Sequence, residues 1–202
     1  QPTIHSFEVP TSTSEEQQRQ ITWYEWGDSD NSNILFCAHG LTRNGRDFDY
    51  VANALHHSYR IISIDVAGRG KSDWLNDKTA YTYPTYIGDV LALLQHLKIN
   101  TVDWLGTSMG GLIGMSIAAT LPSIIKRLII NDIGPYIPGD ALDRIRQYVS
   151  VTPHYDNYDA AISQLRHKLG SFGIEEDEHW QHMFEHSICL LYTSPSPRDK
   201  TV

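Results

Sequence analysis

Apolar and polar positions change their spacing several times along the chain, and each change marks an element. A polar segment runs from Thr11 to Gln20. Ile21 to Trp26 then alternates with the period of a strand, and Ile34 to Ala38 is an unbroken apolar run that stops at His39-Gly40, as a strand buried on both faces would. Phe48, Val51, Ala52 and Leu55 follow at i, i+3, i+4 and i+7, the stripe of an amphipathic helix packed on a sheet. Arg60 to Val66 has buried-strand character. Tyr86 to Lys98 is helical, with Ile87, Val90, Leu91, Leu94 and Leu97 on one side and Pro84 ahead of it as a start signal. Thr101 to Gly106 reads as a short strand, Met109 to Leu121 as a helix apolar nearly all round that ends before Pro122, and Arg127 to Ile133 as another strand. The alternation of strand and helix predicts an α/β fold, with a mostly parallel central sheet, right-handed crossovers and helices on its faces.

Beyond Gly134 the texture changes. Pro135, Pro138 and Gly139 interrupt the pattern, and helical stretches follow at Ala141 to Val149, Tyr158 to Leu169 and Glu175 to Ser187, with no further strand. The expected division is a core over residues 1–134, a helical region over 135–188, and a tail over 189–202 that fits neither. Its Ser/Pro-rich stretch from Tyr192 to Asp199 reads as non-native sequence, a genuine Ser/Pro linker being the alternative.

Composition narrows the partners. Sixteen Lys and Arg against 24 Asp and Glu give a net charge of -8, and no basic run of the kind that neutralises phosphates occurs, so nucleic acid is not an expected partner. Cys37 and Cys189 alone suggest neither a disulfide framework nor a cysteine metal site. No apolar stretch approaches the roughly 20 residues of a membrane span. No charged-then-apolar leader is visible at Gln1, and the cytoplasm is the expected compartment.

The chemistry concentrates at Gly106-Thr107-Ser108-Met109-Gly110. This G-x-S-x-G element lies between a predicted buried strand and a predicted helix, the context of a nucleophile elbow. The turn is so tight that a side chain two positions either side of the serine collides with backbone, hence Gly106 and Gly110. It lifts the Ser108 hydroxyl off the sheet, while the helix behind it aims its first amides at developing negative charge. The Met109 amide is one candidate oxyanion donor. The other is the amide of Leu41, in the loop that His39-Gly40 opens after an apolar strand. His39, so early in the chain, is read as shaping that loop together with Gly40 rather than as a base.

Ala38-His39-Gly40-Leu41, Asp65-Val66-Ala67-Gly68-Arg69-Gly70-Lys71-Ser72 and Gly106-Thr107-Ser108-Met109-Gly110-Gly111, in that order, resemble the α/β-hydrolase superfamily over about Ile21 to Pro135. The likeness is nearest to small esterases and to lactone or C–C bond hydrolases that carry a helical cap after the sixth strand. It implies that Asp65 is a structural hydrogen-bonding residue. It also implies acyl chemistry, because related dehalogenases and epoxide hydrolases carry Asp at the elbow whereas this chain carries Ser108. The expected activity is hydrolysis of a small ester, lactone or related acyl substrate through an acyl-enzyme on Ser108, without cofactor or metal. C–C bond hydrolysis and non-catalytic ligand sensing are the alternatives.

The resemblance also implies an acid after a late strand and then a histidine, and neither is visible beyond the predicted strands, so the 202-residue chain is expected to lack turnover. Asp132, at the end of the strand after the elbow helix, is a candidate acid; its other reading is a cap on the turn through Gly134-Pro135. His154, His167, His179, His182 and His186 fall in the helical region. The spacing of the last three could suggest a metal cluster, but the charged helix around them favours exposure. Tyr148, Tyr155 and Trp180 are candidates to line an acyl pocket.

Overall fold

A computed structural model describes residues 1–10, 18–149, 157–170 and 173–187. The chain divides into two compact units, Gln1–Pro153 and His154–Val202. In the first, six strands, β1 (Thr3–Glu8), β2 (Gln20–Trp26), β3 (Ile34–Ala38), β4 (Arg60–Ile64), β5 (Val102–Thr107) and β6 (Ile125–Asn131), form one sheet in the order β1-β2-β4-β3-β5-β6. β4, β3, β5 and β6 run parallel, as the alternation of strand and helix predicts, whereas β1 and β2 join antiparallel at one edge. The hydropathy reading assigns no element to β1. In its sequence Thr-Ile-His-Ser-Phe-Glu only Phe7 is buried, so the strand carries little apolar signal and is held by backbone pairing with β2.

The helices of this unit are α1 (Asp49–Leu55), preceded by a 3-10 turn Gly45–Phe48, α2 (Tyr83–His96), α3 (Met109–Thr120) and α4 (Gly139–Val149). Side chains alternate across the central strands. Phe36, Ala38, Ile62, Ile64 and Trp104 pack with Val90, Leu93 and Leu94 of α2 and Ile113 and Ile117 of α3. On the opposite face Leu35, Cys37 and Ile61 pack with Phe48 and Ala52. Both faces are thus covered, which is why β3 reads as a continuous apolar run rather than as an alternating strand.

Two helix faces differ from the hydropathy reading. Of the stripe expected for α1, Phe48, just ahead of the helix, and Ala52 reach the core, whereas Val51 and Leu55 are exposed. In α2 Val90 and Leu94 are buried and Ile87 and Leu97 pack against the same core, as expected, but Tyr86, Asp89 and Leu93 complete the buried face in place of Leu91. The polar Asp89 is admitted to that face because Arg19 pairs with it. In β6 Ile129 and Ile130 are exposed, because β6 is the edge strand of the described sheet.

The second unit contains α5 (Tyr158–Leu169) and α6 (Asp177–Ser187). Leu169, Trp180, Met183 and Phe184 form its core, with Trp180 and Phe184 stacked 5.7 Å apart and the Trp180 indole donating to Ile174 O at 3.0 Å. Among the described residues no helix is long and apolar enough to cross a membrane.

Candidate active site

Ser108 links the carboxyl end of β5 to the first turn of α3 with φ 50° and ψ −112°. This left-handed backbone is one that a residue with a Cβ adopts only under restraint, at an order of about 1–3 kcal/mol. The restraint comes from both sides. The Ser108 amide donates to Asn131 O at the end of β6 (2.9 Å), and its carbonyl accepts from the Leu112 amide in α3 (3.1 Å).

Glycines let the backbone close around this turn. A Cβ on Gly106 would lie 2.4 Å from the Gly110 carbonyl carbon, and one on Gly110 would lie 1.9 Å from Ala38 O at the end of β3. The close approach of α3 to β3 brings the loop after β3 beside the serine, so that a Cβ on Gly40 would stand 3.7 Å from the Ser108 Cβ. Met109 opens α3, where the amide has no intrahelical acceptor. Among the described residues neither the Leu41 nor the Met109 amide donates to a backbone carbonyl.

His39 is fully buried with both ring nitrogens engaged. Nδ1 meets Gly40 O at 2.7 Å, and the Val66 amide donates to Nε2 at 3.0 Å. Nε2 as acceptor makes Nδ1–H the donor, a neutral tautomer, and burial lowers the pKa in agreement. Gly40 O also accepts from the Arg43 amide at 3.1 Å. Because the peptide is planar and trans, fixing the Gly40 carbonyl fixes the Leu41 N–H pointing the opposite way.

Asp65, also fully buried, accepts from the Tyr24 hydroxyl (2.9 Å), the Gly45 amide (2.7 Å) and the Lys71 amide (2.8 Å). It ties the loop after β3 to the loop after β4. Burial, then the Asp65 charge, push the Tyr24 phenol far above its ordinary pKa.

Asp132 follows β6, exposed and with φ 58°. Its carboxylate makes no hydrogen bond within the turn through Gly134-Pro135 among the described residues. It lies one residue beyond the carbonyl that holds the Ser108 amide. Of the helical-region candidates, Trp180 is buried in the core of its own unit, His179 is exposed, and His182 and His186 are half-buried with ring centroids 4.7 Å apart. His154, Tyr155, Cys189 and the 189–202 tail lie outside the described residues, as does the side chain of Tyr148.

Two residues of this region escape the motif reading. Asn131 anchors the elbow through its backbone, which leaves no mark on side-chain choice. Trp104, fully buried and stacked on Phe36 at 4.9 Å, donates its indole N–H to Gly110 O at 3.0 Å. Its signal is a tryptophan two residues before the G-x-S-x-G element, where only a partner on α3 explains a polar indole in the core.

Such an arrangement can present a hydroxyl nucleophile at a helix N-terminus beside a second amide-bearing loop. The family model described as alpha/beta hydrolase fold matches residues 33–168. A 3-hydroxybutyrate-oligomer hydrolase from Cupriavidus necator is 43% identical over 164 residues, covering 81% of this chain and 56% of that protein. The crystal structure of a hydrolase from Rickettsia typhi is similar with a TM-score of 0.89 and 38% identity, over 94% of this chain and 69% of that one. An alpha/beta hydrolase from Novosphingobium aromaticivorans is similar with a TM-score of 0.76 and 29% identity, over 91% of this chain and 63% of that one. The chain therefore spans little more than half the length of the Cupriavidus relative.

Proposed function

Because the chain belongs to the α/β-hydrolase fold family, we propose that it acts on a small carboxylic ester, lactone or related acyl compound through an acyl-enzyme on Ser108. The observation that carries the reading is the strained Ser108 backbone with the Gly40 loop placed against it. Strain of that kind persists where the surrounding structure holds a side chain for a task.

In this reading the Ser108 hydroxyl attacks the acyl carbon, and the carbonyl oxygen takes the negative charge beside the Leu41 and Met109 amides. The tetrahedral species then collapses, the alcohol leaves with a proton, and water releases the acid and restores the serine. Asp132 is the acid that orients the base, a role supported by its carboxylate being uncommitted in its turn. His39 is excluded as that base because both its nitrogens are occupied, and the Ser108 proton passes to a different base, one that follows the acid in the chain order of the family. The helical segment is the cap in the same reading, and the partner is a small-molecule acyl substrate in the cytoplasm.

The name of the Cupriavidus relative makes short 3-hydroxybutyrate oligomers the first natural esters to assay, beside p-nitrophenyl butyrate. Peptide mass spectrometry after incubation reads acylation at Ser108, and product release is followed in parallel. Acylation at Ser108 that Ser108→Ala abolishes is the expected result. Ester cleavage that survives Ser108→Ala, or acylation only at other residues, refutes the reading.

A further inference from the structure

The peptide that follows Leu41 is held through its carbonyl by a cation on a different loop. Arg69 Nε donates to Leu41 O at 3.1 Å, while Nη1 donates to Ala67 O at 2.8 Å and meets the Tyr86 hydroxyl at 3.0 Å. The guanidinium carbon stands 5.2 Å from the centre of the Tyr86 ring and 5.6 Å from that of Tyr81. Tyr81 is fixed in turn: its hydroxyl accepts from the Leu75 amide at 2.9 Å, and a Cβ on Gly68 would come within 2.6 Å of its ring. The cation therefore has a built seat.

Its partners are unusual. Arg19, Arg46, Arg60 and Arg127 each pair with a carboxylate, yet among the described residues Arg69 meets only neutral oxygens and aromatic faces. A part-buried guanidinium without a counter-charge is costly to desolvate, and a fold that keeps one leaves positive potential where it stands. Here that place is the carbonyl of Leu41, next to the Gly40 loop that lies against the serine. Gly40 O, in the same peptide plane as the Leu41 N–H, is already fixed by His39 and the Arg43 amide, and the bond to Leu41 O holds the second peptide flanking the Leu41 Cα, so that neither plane can swing and the N–H keeps its direction.

We propose that Arg69 is a positioning residue for the oxyanion-binding amide of Leu41 and supplies the positive charge that offsets the oxyanion. The proposal rests on Ser108 being the nucleophile, and its consequence is selective: Arg69 acts on the tetrahedral anion and leaves the neutral ester nearly untouched.

Wild type, Arg69→Met, Arg69→Lys and Ser108→Ala are compared in three measurements. The first is the rate constant and half-saturating concentration for Ser108 acylation by p-nitrophenyl butyrate. The second is the affinity for a butylboronic acid, which makes Ser108 a tetrahedral anion, read by boron NMR. The third is the thermal midpoint. Losing a direct oxyanion donor costs about a hundredfold or more, and an indirect one is expected to cost roughly tenfold. Arg69→Met should therefore slow acylation and weaken boronate binding by about tenfold each, with the half-saturating ester concentration within about twofold of wild type. Arg69→Lys, which keeps the charge and one donor, should recover most of both. Unchanged acylation and boronate binding in Arg69→Met overturn the proposal. So does a loss that Lys does not rescue and that merely follows a fall in thermal midpoint. If Ser108→Ala behaves as wild type toward ester and boronate, the serine reading fails, and this inference with it.

Discussion

Replacing Gly110 by alanine adds one carbon where none fits. The new Cβ would lie 1.9 Å from Ala38 O and 2.4 Å from the Ala38 carbonyl carbon, against about 3.5 Å for an ordinary contact. The obstacle is backbone in the central strand β3, so no side-chain rotation relieves it, and α3 has to move outward by an amount on the order of 1 Å. That movement breaks the 3.0 Å bond from the Trp104 indole to Gly110 O and opens the packing of Gly114 on Trp104. Overpacking of this severity costs about 3 kcal/mol, and an orphaned indole N–H adds about 1–3 kcal/mol. Ser108 moves with α3, and displacement of a reacting group by about 1 Å costs on the order of a hundredfold in rate. Gly88 supplies the control: it is exposed in α2 with nothing within 4 Å of an added Cβ, so Gly88→Ala should stabilise by about 0.5–1 kcal/mol. Urea unfolding of both variants reads the stabilities and acylation of Ser108 reads the site. A Gly110→Ala protein with wild-type stability and acylation would refute the reasoning, as would a destabilised Gly88→Ala.

Two of the buried indoles, Trp26 and Trp104, should respond to different extents to Trp→Phe. Trp26 Nε1 has no partner among the described residues, so Trp26→Phe removes an orphan donor and should cost less than about 1 kcal/mol; Trp104→Phe loses a made bond and should cost about 2 kcal/mol or more, both read by urea midpoints. His39 is held neutral in the fold with a lowered pKa, while its unfolded value is near 6.5, so the unfolded chain binds the extra proton. Its contribution is therefore full above about pH 6.5 and is lost as pH falls from there toward the lower folded value, with a slope of at most about 1.4 kcal/mol per pH unit. Unfolding curves from pH 5 to 8 should show this slope in wild type, and an equal slope in His39→Gln would count against it. Asp132→Asn should change the unfolding free energy from urea titration by less than about 0.5 kcal/mol, because the carboxylate makes no bond in its turn, while slowing Ser108-dependent ester cleavage at least tenfold. A large stability loss would return Asp132 to a structural role.

The order of strands and helices from β2 to β6 was legible because apolar runs, helical stripes and turn residues are local signals. β1 was not, since its single buried residue, Phe7, leaves pairing to the backbone. The faces of α1 and α2 were legible only in part for a related reason: hydropathy finds Ala52, Val90 and Leu94 but also counts Leu91 and Leu55 as core candidates, whereas the fold buries Asp89 through the reach of Arg19 across 70 positions. At the site, Gly106 and Gly110 declared themselves because steric prohibition acts on residue type. Asn131, which binds through its carbonyl, and Arg69, which acts on another residue's carbonyl, could not, because neither interaction constrains a nearby sequence pattern.

These silent contacts decide the geometry of the site. Three strand ends meet there: Gly110 rests on Ala38 of β3, Ser108 rises from β5, and its amide is held by Asn131 of β6. Parallel strands bring their carboxyl ends to one side of a sheet, so the three arrive together without any of them being near the others in sequence. What each contributes is backbone, and carbonyls do the anchoring of the turn. Side-chain substitution at Leu41 or Met109 should therefore be far better tolerated than any change that shifts the peptide planes, and the residues able to shift them are His39, Trp104 and Arg69, which touch the site only through the carbonyls of Gly40, Gly110 and Leu41.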